Sequence, residues 1–222
     1  MKRKNILTGC ILMLAATGFW LSWFLMPDPG TNDTVHILSI VKQARGNVMN
    51  SVIIQIITSV VYVVALFLLT QISFPLRKTS LLGIIFLGIG SLGLCADAFF
   101  HLLAWFMTDN SVTIQKDVVT VMEFMQTTGV VFLIPLLLSL FIGSMLLAIG
   151  MNKQGLITKR SKFIIATAFL VGCVIAILNK LGIYGGPVPT LAILGIFAAG
   201  QGAIGLDLAA PSKKNQIESP VF

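Results

Sequence analysis

One long apolar run of this chain contains both a carboxylate and an imidazole. Asp97 and His101 lie within residues 81–107, and their spacing of four places them on one face of a helix, one turn apart. An ionised Asp near the centre of a membrane helix costs about 2.5–3.5 kcal/mol on insertion scales, so a partner, water or a proton must offset that cost. We therefore expect any binding or chemistry to centre on this pair.

Three interpretations of the pair stay open. In the first, Asp97 and His101 bond to each other and to a neighbouring helix, and so lock a helical bundle. In the second, they form a binding or transport site on which a proton, a cation or a small ligand exchanges. In the third they belong to a membrane enzyme or a metal site, with His36 or Glu123 as further ligands. A haem b held by His36 and His101 is a special case of the third, although the sequence requires no cofactor.

A polar stripe on the preceding apolar run completes the candidate ligand or proton site. Gln55, Ser59 and Tyr62 are four and three residues apart, so they share one helical face within residues 51–74. Stripes of this kind form hydrogen bonds between membrane helices. Glu123, in a later connection, is a further candidate member of the site.

Small residues predict which side of the third run packs on other helices. Gly83, Gly90 and Ala104 share the face of Asp97 and His101. Because small residues let membrane helices approach closely, this face should be buried in the bundle. We expect it to pack against the polar stripe of residues 51–74.

Composition places the chain in a membrane. Of 222 residues, 56% are hydrophobic and 10% are charged, whereas soluble domains carry about 25% charged residues. The expected fold is an all-α polytopic bundle, a single transmembrane domain over residues 1–208 followed by a disordered cytoplasmic tail over residues 209–222. Six spans are predicted at about residues 6–26, 51–74, 81–107, 129–150, 163–181 and 188–208.

The basic residues predict the orientation of the bundle. With a cytoplasmic N-terminus, eleven of the fifteen Lys and Arg residues fall on the cytoplasmic side: Lys2, Arg3, Lys4, Arg77, Lys78, Lys153, Lys159, Arg160, Lys162, Lys213 and Lys214. By the positive-inside rule both termini are cytoplasmic. The localisation that follows is a plasma (inner) membrane of the bacterial type. The net charge of +7 comes from short clusters between apolar runs, so it indicates topology and not nucleic-acid binding.

Two long connections lie on the outer side, at residues 27–50 and 108–128. Each has a weak amphipathic pattern that predicts a surface helix. Trp23 and Trp105 each close the run before such a connection, which suggests a faint internal repeat. The first apolar run is expected to stay on the protein, because no signal-peptide cleavage site follows it and Cys10 lacks the apolar core that a lipobox needs before it.

The last apolar run is rich in small residues, which predict a packing face. That face could also bind a second copy or a partner membrane subunit. Its members are Gly195, Ala198, Ala199, Gly200, Gly202 and Gly205. The lipid bilayer is the remaining expected partner, and Cys10, Cys95 and Cys173 show neither disulfide nor metal-ligand spacing.

Overall fold

The computed structural model describes residues 2–31, 33–72, 76–112, 115–180 and 186–210, and every regular element among them is helical. The helices are α1 (Lys2–Leu25), α2 (Thr34–Gln43), α3 (Arg45–Thr70), α4 (Lys78–Met107), α5 (Gln115–Phe124), α6 (Val130–Lys153), α7 (Lys159–Lys180) and α8 (Pro187–Ala209). A π-helical segment, Met125–Gly129, joins α5 to α6.

Within the described residues, five stretches of helix are long and apolar enough to cross a membrane, as in a multi-pass integral membrane protein. They are α1, α3, α4, the continuous helix Lys116–Lys153 and α8. Large apolar side chains such as Phe67 and Phe132 project outward from these helices with more than half of their surface exposed. Soluble proteins rarely expose so much contiguous apolar surface, whereas a lipid-facing bundle must.

The two long connections differ from each other in the structure. Short helices are present in both, as the amphipathic patterns predict. However, the second is not a separate surface segment, because α5 continues through the π-helical turn into α6. Phe124 and Val130 on either side of this turn keep right-handed helical dihedrals. The helix therefore absorbs one wide turn and does not break. Most of the predicted cytoplasmic tail, residues 211–222, lies outside the described residues.

The long helices form a closed ring. α1 contacts α3, α3 contacts α4, α4 contacts α6, α6 contacts α7, α7 contacts α8, and α8 returns to α1. The residues that meet show that neighbouring helices are antiparallel. Between α4 and α6, Gly83 opposes Leu147 while Gly93 opposes Leu136. Between α1 and α8, Gly9 opposes Gly205 while Gly195 opposes Trp20. The buried apolar core fills the inside of this ring.

Glycines of α4 allow a close helix pair to form, but not the pair expected from the sequence. A Cβ on Gly83 would stand 2.5 Å from the backbone N of Leu147, and one on Gly90 would stand 2.6 Å from the Cα of Leu140. The glycine face of α4 thus packs on α6, which corrects the expectation that it packs on the polar stripe of α3. A stripe at seven-residue spacing drifts by about 20° per heptad on a straight helix, so its far end, at Asp97, reaches α3 instead.

The small residues of α8 are largely used inside the chain. Gly205 meets Gly9 of α1, and Gly200 meets Ile165 of α7. A Cβ added to Gly202 would have no atom of the described residues within 4 Å, and this glycine lines a shallow groove between α1 and α8. Self-association through this face stays a prediction.

Candidate functional site

Asp97, Gln55 and His101 form a hydrogen-bonded group, which we call the polar cluster. The amide Nε2 of Gln55 donates to Asp97 Oδ2 at 2.6 Å, and His101 Nδ1 lies 3.3 Å from Gln55 Oε1. The direct distance from His101 Nδ1 to Asp97 Oδ2 is 3.9 Å. Gln55 on α3 thus bridges the two residues on α4, which confirms that the pair faces the bundle interior beside the polar stripe.

The bridge determines which atoms remain free. Since Oε1 of Gln55 can only accept, His101 carries a proton on Nδ1 and its Nε2 is not engaged by this bond. Asp97 Oδ1 takes no hydrogen bond from the described residues, although Asp97 is only 5% exposed. The indole of Trp23 packs edge-on against the imidazole, with 5.8 Å between the ring centroids. The cluster therefore has a fixed geometry, and one carboxylate oxygen, Asp97 Oδ1, can still accept a hydrogen bond.

A cavity of about 230 Å³ lies beside the polar cluster, inside the end of the bundle where α2 and α5 are found. We call it the capped cavity. Asp97 and His101 line it from α4, and Gln126 lines it from the π-helical segment. Most of the remaining wall is apolar, with Met26, Met122 and Met125 among the side chains that form it.

The cap over this cavity consists of the 27–31 turn and α2. Asp28 in that turn has a positive φ of 47°, and its carboxylate bonds His36 Nε2 on α2 at 2.8 Å. Asp33 caps α2 by accepting the backbone N–H of His36 at 2.9 Å. Ile37, Ile40 and Val41 of α2 form the wall of the cavity on the side of the cap.

An arginine sets the register between α3 and α4. Arg45, at the start of α3, donates to the carbonyl of Trp105 at 2.8 Å and to the hydroxyl of Thr108 at 2.9 Å. It also pairs with Asp109 at 2.9 Å and lies 4.1 Å over the Trp105 ring. Because neighbouring helices run antiparallel, this contact places Gln55 level with Asp97.

The carboxylate of this contact is itself stabilised in its ionised form. The backbone N–H and the hydroxyl of Ser111 bond Asp109, and with the Arg45 guanidinium they hold the pKa of Asp109 below its usual range. The anchor between α3 and α4 is therefore charged at neutral pH.

The other predicted site residues lie apart from the polar cluster. Ser59 bonds the carbonyl of Ile56 within its own helix at 2.8 Å. Tyr62 bonds Gln201 of α8. Glu123 is exposed on α5, and His36 is held by Asp28 on the cap. Within the described residues no group of three His, Cys, Asp or Glu side chains comes close enough to hold a metal ion.

A second buried polar network was not expected from the sequence. Tyr62 of α3 donates to Gln201 of α8, and Gln201 Nε2 donates to Ser144 Oγ of α6 at 2.6 Å. All three residues are almost completely buried, so the network joins three members of the ring across its interior. The available signal was Gln201, the one amide in a helix of small and apolar residues.

No family model matches the chain, and no curated protein and no solved structure matches it either. The functional conclusion therefore depends on the capped cavity and the polar cluster. Together they offer a carboxylate oxygen and an imidazole to any molecule that enters an otherwise apolar space inside the bundle.

Proposed function

We propose that this protein is a six-span membrane bundle, with both termini cytoplasmic, that binds a small ligand in the capped cavity and exchanges a proton there. The observation that carries the proposal is the position of Asp97 and His101 on the wall of a 230 Å³ cavity. Pockets that combine an apolar lining with a few polar groups are the usual form of a small-molecule site. The bundle would act as a proton-coupled binding protein or transporter.

The sixth span in this proposal is α7. Its 22 residues extend about 33 Å, enough to cross the hydrocarbon core of a bilayer. Phe163, Leu170 and Ile177 form an exposed apolar stripe along it. Ile165 and Ala168 on the opposite side are buried in the core. This division is what a lipid-facing member of the helix ring requires.

The charge balance of the polar cluster supports the proposed proton exchange. The cluster has zero net charge in two states: one with a neutral Asp97 acid and a neutral His101 imidazole, the other with an Asp97 carboxylate and a His101 imidazolium. Either state avoids a net charge in the membrane interior, which is costly. A ligand that brings charge into the cavity would restore the balance by releasing or taking up a proton at Asp97 or His101.

Two other functions compete with this one. A purely structural role is supported by the Gln55 bridge, which joins α3 to α4 at 2.6 Å. An enzyme or metal site that used His36 or Glu123 beside Asp97 and His101 has less support, because His36 bonds Asp28 and Glu123 is exposed. The structural role is therefore the second candidate.

The test is occupancy of the cavity. The protein in lipid nanodiscs is titrated calorimetrically with three compounds that each carry one phenyl ring on a short chain: phenethylamine, propylbenzene and 3-phenylpropionate. At least one should bind the parent, and binding should be lost in Ala104→Phe and in Val130→Phe, which fill the cavity from two helices. Repeating the titration in buffers of different ionisation enthalpy counts the protons exchanged.

Asp97→Asn should bring the proton count to zero, whereas Glu123→Gln, which changes an exposed carboxylate, should leave it unchanged. If no compound binds the parent better than it binds both filled variants, the cavity is not a binding site. The Asp97 pair would then be structural.

A further inference from the structure

We infer that the ligand of the capped cavity is a small organic cation, a protonated amine with an apolar body of about one ring. This inference rests on the proposed function, because it assigns a chemical class to the same site. Four features of the cavity carry it: the sign of its ionised groups, the free oxygen of Asp97, the nature of its walls and its size.

The first feature is the sign of the charged groups. Two carboxylates line the cavity, Asp97 at its inner wall and Asp28 in the cap, and the described lining contains no Lys or Arg. The nearest arginine on α3, Arg45, is engaged with Trp105 and Asp109. When ionised, these carboxyl groups favour a cation and disfavour an anion.

The free oxygen of Asp97 gives that cation a specific partner. Oδ2 is occupied by the Gln55 amide, while Oδ1 takes no hydrogen bond from the described residues. An ammonium group has three donors and can therefore satisfy Oδ1 directly. A charge-assisted bond of this kind is about twice as strong as a neutral one.

The walls of the cavity suit a cation attached to an apolar body. Trp23 and Phe100 contribute aromatic rings, and Met26, Met122 and Met125 contribute polarisable thioethers. Aromatic faces attract ammonium groups through their quadrupoles. Methionines adapt their shape to an apolar guest. A purely inorganic cation would leave most of this apolar wall without a contact.

The size of the cavity limits the ligand. Drug-sized pockets enclose about 300–1,000 Å³, and an apolar cavity of about 150 Å³ can hold benzene. The 230 Å³ found here therefore fits one ring with a short aminoalkyl chain.

Binding of the ammonium ion together with release of a proton keeps the net charge of the site constant. Where Asp97 is protonated before binding, the arriving ammonium ion displaces that proton: the carboxyl O–H bond breaks, and the proton passes to bulk water, where the buffer takes it up. The carboxylate then pairs with the ammonium, so each state of the site has the same net charge. No oxidant, reductant or further reactant is needed.

The experiment compares the three compounds named above. Phenethylamine and propylbenzene match in size and differ in charge, while 3-phenylpropionate is a slightly larger anion. Phenethylamine should bind the parent protein at least about tenfold more tightly than propylbenzene, because it adds a buried charge pair. 3-Phenylpropionate should bind more weakly than either. Asp97→Asn should remove the advantage of the amine and leave the affinity for propylbenzene largely intact, while Glu123→Gln serves as the matched control.

The outcomes separate the two levels of the proposal. If propylbenzene or 3-phenylpropionate binds as tightly as phenethylamine, and both cavity-filling variants abolish that binding, the cavity is a site but the amine class is wrong. If none of the three discriminates between the parent and the filled variants, the proposed function fails and this inference fails with it. An amine preference that survives Asp97→Asn would also overturn the assignment.

Discussion

Gln55 is the residue on which the arrangement of the site depends. Its amide donates to Asp97 and accepts from His101, so both hydrogen-bonding ends are used within one buried group. Without it, Asp97 and His101 would be 3.9 Å apart with no bridging atom. Buried polar groups left without partners are costly, and a bridge of this kind stabilises the helix pair as well as the site.

We predict that Gln55→Leu lowers the free energy of unfolding by about 1–3 kcal/mol, because it leaves Asp97 Oδ2 and His101 Nδ1 without partners. Gln126→Leu is the matched control, since Gln126 lines the same cavity but makes no hydrogen bond through its side chain within the described residues. That control should change stability by less than about 0.5 kcal/mol. Thermal unfolding in nanodiscs measures the stability change of both variants. Equal effects of the two substitutions would contradict the bridging role of Gln55.

At the scale of elements, the pair α4 and α6 shows how glycine position decides which helices become neighbours. Gly83 and Gly90 stand against the backbone of α6, while Gly88 of the same helix has nothing within 4 Å of an added Cβ. The first two permit close approach, and the third faces open surroundings. The same residue type thus has opposite consequences at positions five residues apart.

Gly83→Ala should destabilise the protein by about 1–3 kcal/mol, because the new methyl group would meet the backbone of Leu147 and Gly143. Gly88→Ala should be neutral or stabilising by up to about 1 kcal/mol, since alanine favours a helix over glycine. Chemical or thermal unfolding of the two variants side by side tests this. A Gly83→Ala protein as stable as the parent would show that α4 and α6 do not approach so closely.

The Arg45–Asp109 contact gives the joint between α3 and α4 a dependence on acid. The pKa of Asp109 is lower in the folded protein, chiefly through its bonds to Ser111. Its contribution to stability is therefore complete above the unfolded pKa of about 3.9 and is lost as the pH falls through the folded value. Asp109→Asn should be less stable than the parent at neutral pH, and the difference in melting temperature should shrink below about pH 4. A difference that is constant with pH would contradict stabilisation by the ionised form of Asp109.

At the scale of the whole molecule, the ring closes because its last helix packs against its first. Hydrogen bonds between buried polar groups also connect helices across its interior. Gly205 of α8 lies against Gly9 of α1. The Tyr62–Gln201–Ser144 network then joins α3, α8 and α6 across the interior. On α3, Tyr62 lies seven residues beyond Gln55, about 10 Å deeper in the bundle.

The proposed topology predicts which loops are accessible from outside the cell. Single cysteines are introduced at Ser111, Val188 and Lys153 after the three native cysteines are replaced by alanine. If α7 spans the membrane and the termini are cytoplasmic, Ser111→Cys and Val188→Cys should react with a membrane-impermeant maleimide on intact cells. Lys153→Cys should react only after permeabilisation. Val188→Cys that behaves like Lys153→Cys would show that α7 does not cross.

The local pattern of the chain was enough to find the helices and the central pair. Apolar runs and their charged borders predict α1, α3, α4, α6 and α8, because hydropathy and helical period are properties of neighbouring residues. The spacing of Asp97 and His101, and the stripe that contains Gln55, follow from the same period. The short helices in the two long connections are also readable from their amphipathic patterns.

Only the tertiary structure decided which residues meet. Gln201 is 139 residues from Tyr62 in the chain, and no local pattern pairs them. Likewise Gly83 and Gly90 of α4 pack on α6 and not on α3, and α5 merges with α6 through a π-helical turn, so that Gln126 and not Glu123 lines the cavity. The reason is physical: periodicity determines the face a side chain occupies, whereas close packing among all six long helices determines what that face touches.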